Sequence, residues 1–195
     1  TDIGSRPSNE DNMSSYVPED AQVLAKKGAL FVVADGLGGY AQGEVASELA
    51  VNTIRDTYYQ DTDEDIALSL RKAVEHANAL IWQKNGGKFQ DATEDEKAQK
   101  GMGTTCVAAV LQNDHVYVAN VGDSLAYIMR AEQVIQIAQD HSWVAEQVHA
   151  GLLTKEQARS HEKRNIITRC LGTSSDVDVY VASEIVQDGD VLLLC

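Results

Sequence analysis

Positive charge is scarce in this chain. Sixteen lysines and arginines face thirty aspartates and glutamates, for a formal net charge of −14 at pH 7. Nucleic acids and anionic membrane surfaces both select basic patches, so neither partner class is expected. A phosphorylated substrate would also meet repulsion unless cations neutralised its site. Cysteine is sparse as well. Cys106, Cys170 and Cys195 lie far apart, are odd in number and form no C-x-x-C pair. That fits free thiols in a reducing compartment rather than a disulfide frame or a zinc site. No apolar run approaches a membrane span and no secretory pattern opens the sequence, so the expected location is the cytoplasm. Internal repeats, low-complexity tracts and interdomain linkers are missing too.

What is present is one globular domain's worth of material. The 195 residues, 44% hydrophobic and 24% charged, suffice for a real core. The stretch that organises the rest is Val33-Ala34-Asp35-Gly36-Leu37-Gly38-Gly39, at the end of the apolar run Ala29–Val33. A buried strand delivers a carboxylate to its tip, and a glycine-rich turn then leads into a helix from about Ala41. The turn follows neither G-x-G-x-x-G nor Gly-Lys-Ser/Thr, so it is neither a dinucleotide fingerprint nor a phosphate loop. Exposed backbone groups beside Asp35 suit a hard cation; a plain strand-to-helix turn with an incidental aspartate is the other reading. Upstream, Arg6 has the fork to grip an oxyanion, and Glu10 and Asp11 suit a metal or its waters. From that stretch alone, an N-terminal loop of solvated charges is the more ordinary reading.

The elements follow in order. A helix over about Ala41–Tyr59 carries Val45, Leu49 and Ile54 on one side. A second, from near Thr62, buries Ile66, Leu70, Ala73, Val74, Ala77, Leu80 and Ile81 at spacings of three and four. Residues 84–100 read as a surface loop. Strands at about Thr104–Leu111, Val116–Val121, Ala126–Met129 and Val134–Ile137, joined by short turns, predict antiparallel hairpins. Asp123 sits in a bend between two of them. Ser142 or Asp140 caps a helix over Trp143–His149, and Thr154 to Gln157 is a capping-box pattern. A last hairpin pairs Val177–Val186 with Val191–Cys195. Strand, helices, antiparallel strands, short helices and strands again make an α+β fold.

Taken together, Arg6-x-x-Asn9-Glu10-Asp11, Asp35-Gly36-x-Gly38-Gly39, Gly103-Thr104-Thr105, Gly122-Asp123-Ser124, Asp140-His141-Ser142 and Arg164-Asn165-Ile166-Ile167-Thr168-Arg169-x-Leu171-Gly172 closely resemble the metal-dependent serine/threonine protein phosphatases of type 2C, in their bacterial form. The resemblance runs from Arg6 to Cys195. It implies a four-layer α-β-β-α sandwich, two antiparallel sheets flanked by helices, with metals at one end of the sheets. It implies hydrolysis of phosphoserine and phosphothreonine in proteins by a metal-bridging hydroxide, with two Mn²⁺ or Mg²⁺ ions roughly 4 Å apart. Asp35 then resembles the bridging carboxylate, the Gly36 carbonyl a further ligand, and Glu10 and Asp11 the acidic pair on the metals or their waters. Asp123 resembles the ligand of a third, weaker ion, and Arg6 the arginine that binds the substrate phosphate. Residues 148–169 correspond to the family's flap, where His149, His161 and Arg164 are candidates for substrate contact.

Two departures qualify this. Leu37 and Tyr40 stand where family members carry histidines, one of them proposed as general acid; His141 is the nearest polar candidate by motif, and the proton donor stays open. In the family, the strand resembling Val191–Cys195 runs into Ser-Asp-Gly, whose aspartate binds metal, and another aspartate follows. The expectation is therefore a single catalytic domain, residues 1–195, lacking its last strands and two ligands, with weak or absent activity. The apolar edge Val191-Leu192-Leu193-Leu194 would be prone to pairing. The alternatives are an impaired phosphatase-like module that binds a phosphorylated partner or senses metal, and an unrelated acidic cation-binding α+β protein.

Overall fold

The computed structural model describes residues 8–37, 42–87 and 101–195, so Arg6, Gly38, Gly39, Tyr40 and residues 88–100 lie outside the described residues. Strand β2 (Ala29–Asp35) lies inside a five-stranded antiparallel sheet. Its neighbours are β1 (Asp11–Tyr16) and β3 (Cys106–Gln112), followed by β4 (His115–Val121) and β7 (Tyr180–Ile185). A second sheet orders β6 (Gln133–Gln136), β5 (Ala126–Arg130) and β8 (Val191–Leu194).

Alternation along the strands separates two cores. Leu30, Val32 and Ala34 of β2, with Cys106, Ala108 and Val110 of β3, pack against α2 (Gly43–Gln60) and α3 (Ile66–Lys84). The opposite face, through Val33, Val107, Ala109, Val116 and Val118, meets Ala126 and Ile128 of the second sheet. The result is two antiparallel sheets with flanking helices, as the sequence implies. No helix among the described residues is long and apolar enough to cross a membrane.

Helix α2 lies close on the sheet because its inner stripe is small: Gly43, Ala46, Ser47 and Ala50 are all buried. Val45, expected inside, is 38% exposed instead, whereas Ile54, expected on the same side, is fully buried beside Val51. Both ends of α2 are tied to backbone carbonyls next to the starts of β1 and β2. Ser47 Oγ donates to the Glu10 carbonyl at 2.5 Å. At the far end Tyr58 Oη donates to the Lys27 carbonyl at 2.6 Å and Tyr59 Oη to that of Gly28 at 2.9 Å. Helix α3 begins at Ile66 rather than Thr62. The carboxylates of Asp61 and Asp63 each accept a backbone N–H two residues on, which holds a non-helical turn, and Asp65 then caps by accepting from Leu68 N at 3.0 Å. Lys72 Nζ sits between Asp61 and Asp63, at 3.4 and 3.1 Å.

Strand β1 and helix α1 (Ala21–Lys27) were not expected. Strand β1 is a polar edge strand with no apolar alternation, so the sequence carries no strand signal there. The expected last hairpin is also corrected. Strand β7 pairs with β4 in the first sheet, whereas β8 pairs with β5 in the second. Asp190 turns the chain from one sheet to the other. It accepts from Gln187 N at 2.8 Å and takes a two-pronged grip from Arg130, Nε at 2.9 Å and Nη2 at 2.6 Å. Helices α4 (Trp143–His149) and α5 (Lys155–Ser160) start as their caps predict: Ala145 N donates to Ser142 Oγ at 3.3 Å, and Thr154 and Gln157 form the reciprocal box.

Cys106 is fully buried at the start of β3, and burial pushes its thiol up to about 12. At pH 8 its thiolate fraction is then roughly one in ten thousand. A disulfide reagent should label the exposed Cys195 at once and Cys106 only as the protein unfolds, as read by mass spectrometry of tryptic peptides. Native-state labelling of Cys106 at the Cys195 rate would contradict this packing.

Candidate active site

The acidic residues singled out in the sequence sit at one end of the five-stranded sheet. Asp11 opens β1 and Asp35 closes β2, and the two are direct cross-strand partners. Partnered residues in an antiparallel pair project from the same face, so these carboxylates stand together at the rim between the sheets. Glu10, one residue earlier, falls on the opposite face, toward the start of α2. Gly36 N donates to the Glu10 carbonyl at 3.0 Å, closing the two strand ends. A Cβ on Gly43 would lie 2.9 Å from Glu10 Oε2, so glycine at the first position of α2 makes room for that carboxylate.

Glu10 Oε2 is buried and has no hydrogen-bond partner among the described residues. A carboxylate oxygen removed from water without a donor calls for a positive partner. This is the observation in the structure that fits a cation at this rim. Among the described residues no three acidic, histidine or cysteine side chains close on one point.

The backbone of Asp35 is locked by Thr104 and Thr105, at the start of β3. Asp35 N donates to Thr105 Oγ1 at 3.0 Å, while Thr105 N and Thr104 Oγ1 donate to the Asp35 carbonyl at 2.9 and 3.0 Å. Thr105 Oγ1 also pairs with Ser124 Oγ at 2.5 Å, both buried, and so ties Asp35 to the bend that carries Asp123. Thr104 further exchanges backbone hydrogen bonds with Leu171, docking residues 164–172 onto the same end of the sheet.

Asp123 follows β4, whose last residue Val121 is the partner of Cys106, so it reaches the same rim. Burial raises the Asp123 carboxyl above the usual range; a hydrogen bond from its own backbone opposes this and the Asp140 carboxylate adds to it. Gly122 adopts φ +105°, and a Cβ there would sit 2.7 Å from the Thr105 side chain, so only glycine fits. Its carbonyl accepts from His141 N at 3.0 Å and from Asn120 Nδ2 at 3.3 Å.

The sequence left His141 open as a proton donor. The structure buries it to 1% exposure, with Nδ1 accepting from Gly122 N at 3.1 Å. Burial, with the Arg169 guanidinium nearby, pushes its pKa below the ordinary histidine value. A ring so placed does not reach solvent. His149 and Arg164 are exposed, and His161 stacks at a tilt on Trp143, 4.9 Å between centroids, with Lys163 Nζ 4.7 Å from the same ring. The structure therefore brings Asp11, Asp35, Gly36 and Asp123 to one end of the first sheet, with Glu10 at that end but on the opposite face. Thr105, Ser124, Ser47 and Gly43, which hold them, were missed as site residues; the Gly103-Thr104-Thr105 and Gly122-Asp123-Ser124 motifs were the signals for the first two. Arg6 falls outside the described residues.

Comparison with known proteins identifies the family. The profile of the Protein phosphatase 2C family matches residues 9–183. The chain is 37% identical, over 97% of its own length and 71% of the relative's, to the serine/threonine phosphatase stp of Listeria monocytogenes. It is 35% identical to the protein phosphatase PhpP of Streptococcus pneumoniae, over its whole length and 74% of the relative's. Among solved structures, serine/threonine phosphatase Stp1 from Staphylococcus aureus superposes with a TM-score of 0.81 at 32% identity, covering 98% of this chain and 71% of that one. The catalytic domain of the phosphatase PstP, solved with two manganese ions, gives a TM-score of 0.70 at 30% identity, covering 97% and 71%. Matched in sequence and in fold over nearly all its residues, the chain belongs to the protein phosphatase 2C family and is a bacterial-type serine/threonine protein phosphatase.

Proposed function

We propose that the chain hydrolyses phosphoserine and phosphothreonine in proteins at a site for two divalent ions, Mn²⁺ or Mg²⁺, on the rim between the sheets. Asp35 and the Gly36 carbonyl hold the ions, Glu10 and Asp11 hold them or order their waters, and Asp123 serves a third, weaker ion. When bound, such ions acidify a water as nucleophile and neutralise the phosphoryl oxygens. Arg6 grips the substrate dianion with its planar fork and orients it for in-line attack. Residues 1–195 act as one catalytic domain, with 148–169 as a flap beside the site. The observation that carries this reading is the pairing of Asp11 with Asp35 beside the buried oxygen of Glu10, which has no hydrogen-bond partner among the described residues.

The reading is tested by metal removal. Phosphate release from a phosphothreonine peptide should fall to background in a chelator and return on Mn²⁺ addition. Hydrolysis that persists in the chelated protein would overturn it.

A further inference from the structure

Asp123 stands on a bend that local contacts hold only in part: Asn120 Nδ2 donates to the Gly122 carbonyl at 3.3 Å. Gly122 is in the left-handed region, and glycine is the residue least able to hold one conformation unaided. Both of its peptide groups are nevertheless satisfied from a single residue. His141 N donates to the Gly122 carbonyl at 3.0 Å, and Gly122 N donates to His141 Nδ1 at 3.1 Å. This reciprocal pair is buried, and His141 is itself fixed from its other side. Its carbonyl accepts from Thr168 N and Thr168 Oγ1, each at 2.8 Å, and Asp140 Oδ1 accepts from Ser142 N at 2.9 Å. Asn120 braces the same loop, donating to the Gln139 carbonyl at 2.7 Å and accepting from Gln139 N at 3.1 Å.

An imidazole that accepts through Nδ1 carries its proton on Nε2, an atom that is buried here with no hydrogen-bond partner among the described residues. A protonated or reversed ring would set a donor against the Gly122 N–H. We propose that His141 is a positioning residue for the Asp123 carboxylate: as the neutral Nε2–H tautomer it clamps Gly122 and so fixes where Asp123 stands at the rim. The inference rests on the reading of Asp123 as the ligand of the weaker ion. Its role is separate from proton transfer to substrate. Groups that orient ligands from behind are commonly worth 10- to 100-fold in metal affinity.

The tests separate the clamp from the ligand. In the metal-free protein, ¹⁵N spectra of the His141 ring should show a bare Nδ1 and a protonated Nε2; a proton on Nδ1 overturns the proposal without any substitution. His141→Asn offers Oδ1 near the place of Nδ1, whereas His141→Leu offers no acceptor. Exchange of the Gly122 amide should stay slow in His141→Asn and quicken roughly tenfold or more in His141→Leu, the scale of one lost hydrogen bond. In Mn²⁺ titrations the weakest binding class should loosen roughly 10- to 100-fold in His141→Leu and stay within about threefold in His141→Asn. Equal loss in both variants would make the ring's bulk the cause and sink the clamp. Asp123→Asn is the reference: if it leaves that weakest class intact, the ligand reading fails and the proposal with it.

Discussion

Asp35→Asn is expected to abolish tight Mn²⁺ binding and to lower kcat on a phosphothreonine peptide by roughly 10²- to 10³-fold, the scale on which one preorganised electrostatic partner is felt. The fold should survive, because Asp35 is held through its backbone. The bonds to Thr104 and Thr105 use its N–H and carbonyl, which the substitution leaves in place. Isothermal titration with Mn²⁺ and a phosphate-release assay read both losses, and circular dichroism checks the fold. Wild-type Mn²⁺ affinity in the variant would remove Asp35 from the site.

Gly36→Ala should damage the same rim by another route. Gly36 is not in the left-handed region, so its backbone conformation suits alanine. The obstacle is space. A Cβ would stand 2.7 Å from the Glu10 carbonyl oxygen and press on the main chain of Gly43. Both neighbours are backbone, one at the start of β1 and one at the start of α2, so neither can swing aside. The expected loss is about 3 kcal/mol, near the upper range for overpacking, or about 6 °C or more in Tm. Mn²⁺-dependent turnover should fall with it, because Glu10 or the first turn of α2 must move. Gly189→Ala is the comparison: φ is +90° there, yet nothing lies within 4 Å of the added carbon. That variant should lose stability through backbone strain alone and keep full turnover. A Gly36→Ala protein that melts within 2 °C of wild type, a margin set against the shift expected above, and turns over normally would refute the close packing at this corner.

The parts of the fold legible in the sequence were those with their own periodicity or caps. Strand β2 announces itself by its apolar run, α3 by Ile66, Leu70, Ala73, Val74, Ala77 and Ile81, and α4 and α5 by Ser142 and the Thr154–Gln157 box. What stayed hidden depends on distant partners. Strand β1 is polar because it is an edge strand held by pairing with β2. The β7–β8 connection reads as a hairpin until Arg130, some sixty residues upstream in the chain, is seen to grip Asp190. The site divides in the same way. Its carboxylates could be read from their order along the chain. The polar lattice behind them, from Asp35 through Thr105 and Ser124 to Gly122 and His141, joins residues up to 106 positions apart (141 − 35) and has no local signature.

Helix α2 is anchored at one end through Ser47 to the Glu10 carbonyl and at the other through Tyr58 and Tyr59 to Lys27 and Gly28. It behaves as a strut bolted across the sheet. Strands β1 and β2 cannot slip past each other by a residue without shearing a bolt at one end or the other. The separation between the two carboxylates at the rim is kept by a brace on the far side of the sheet from them.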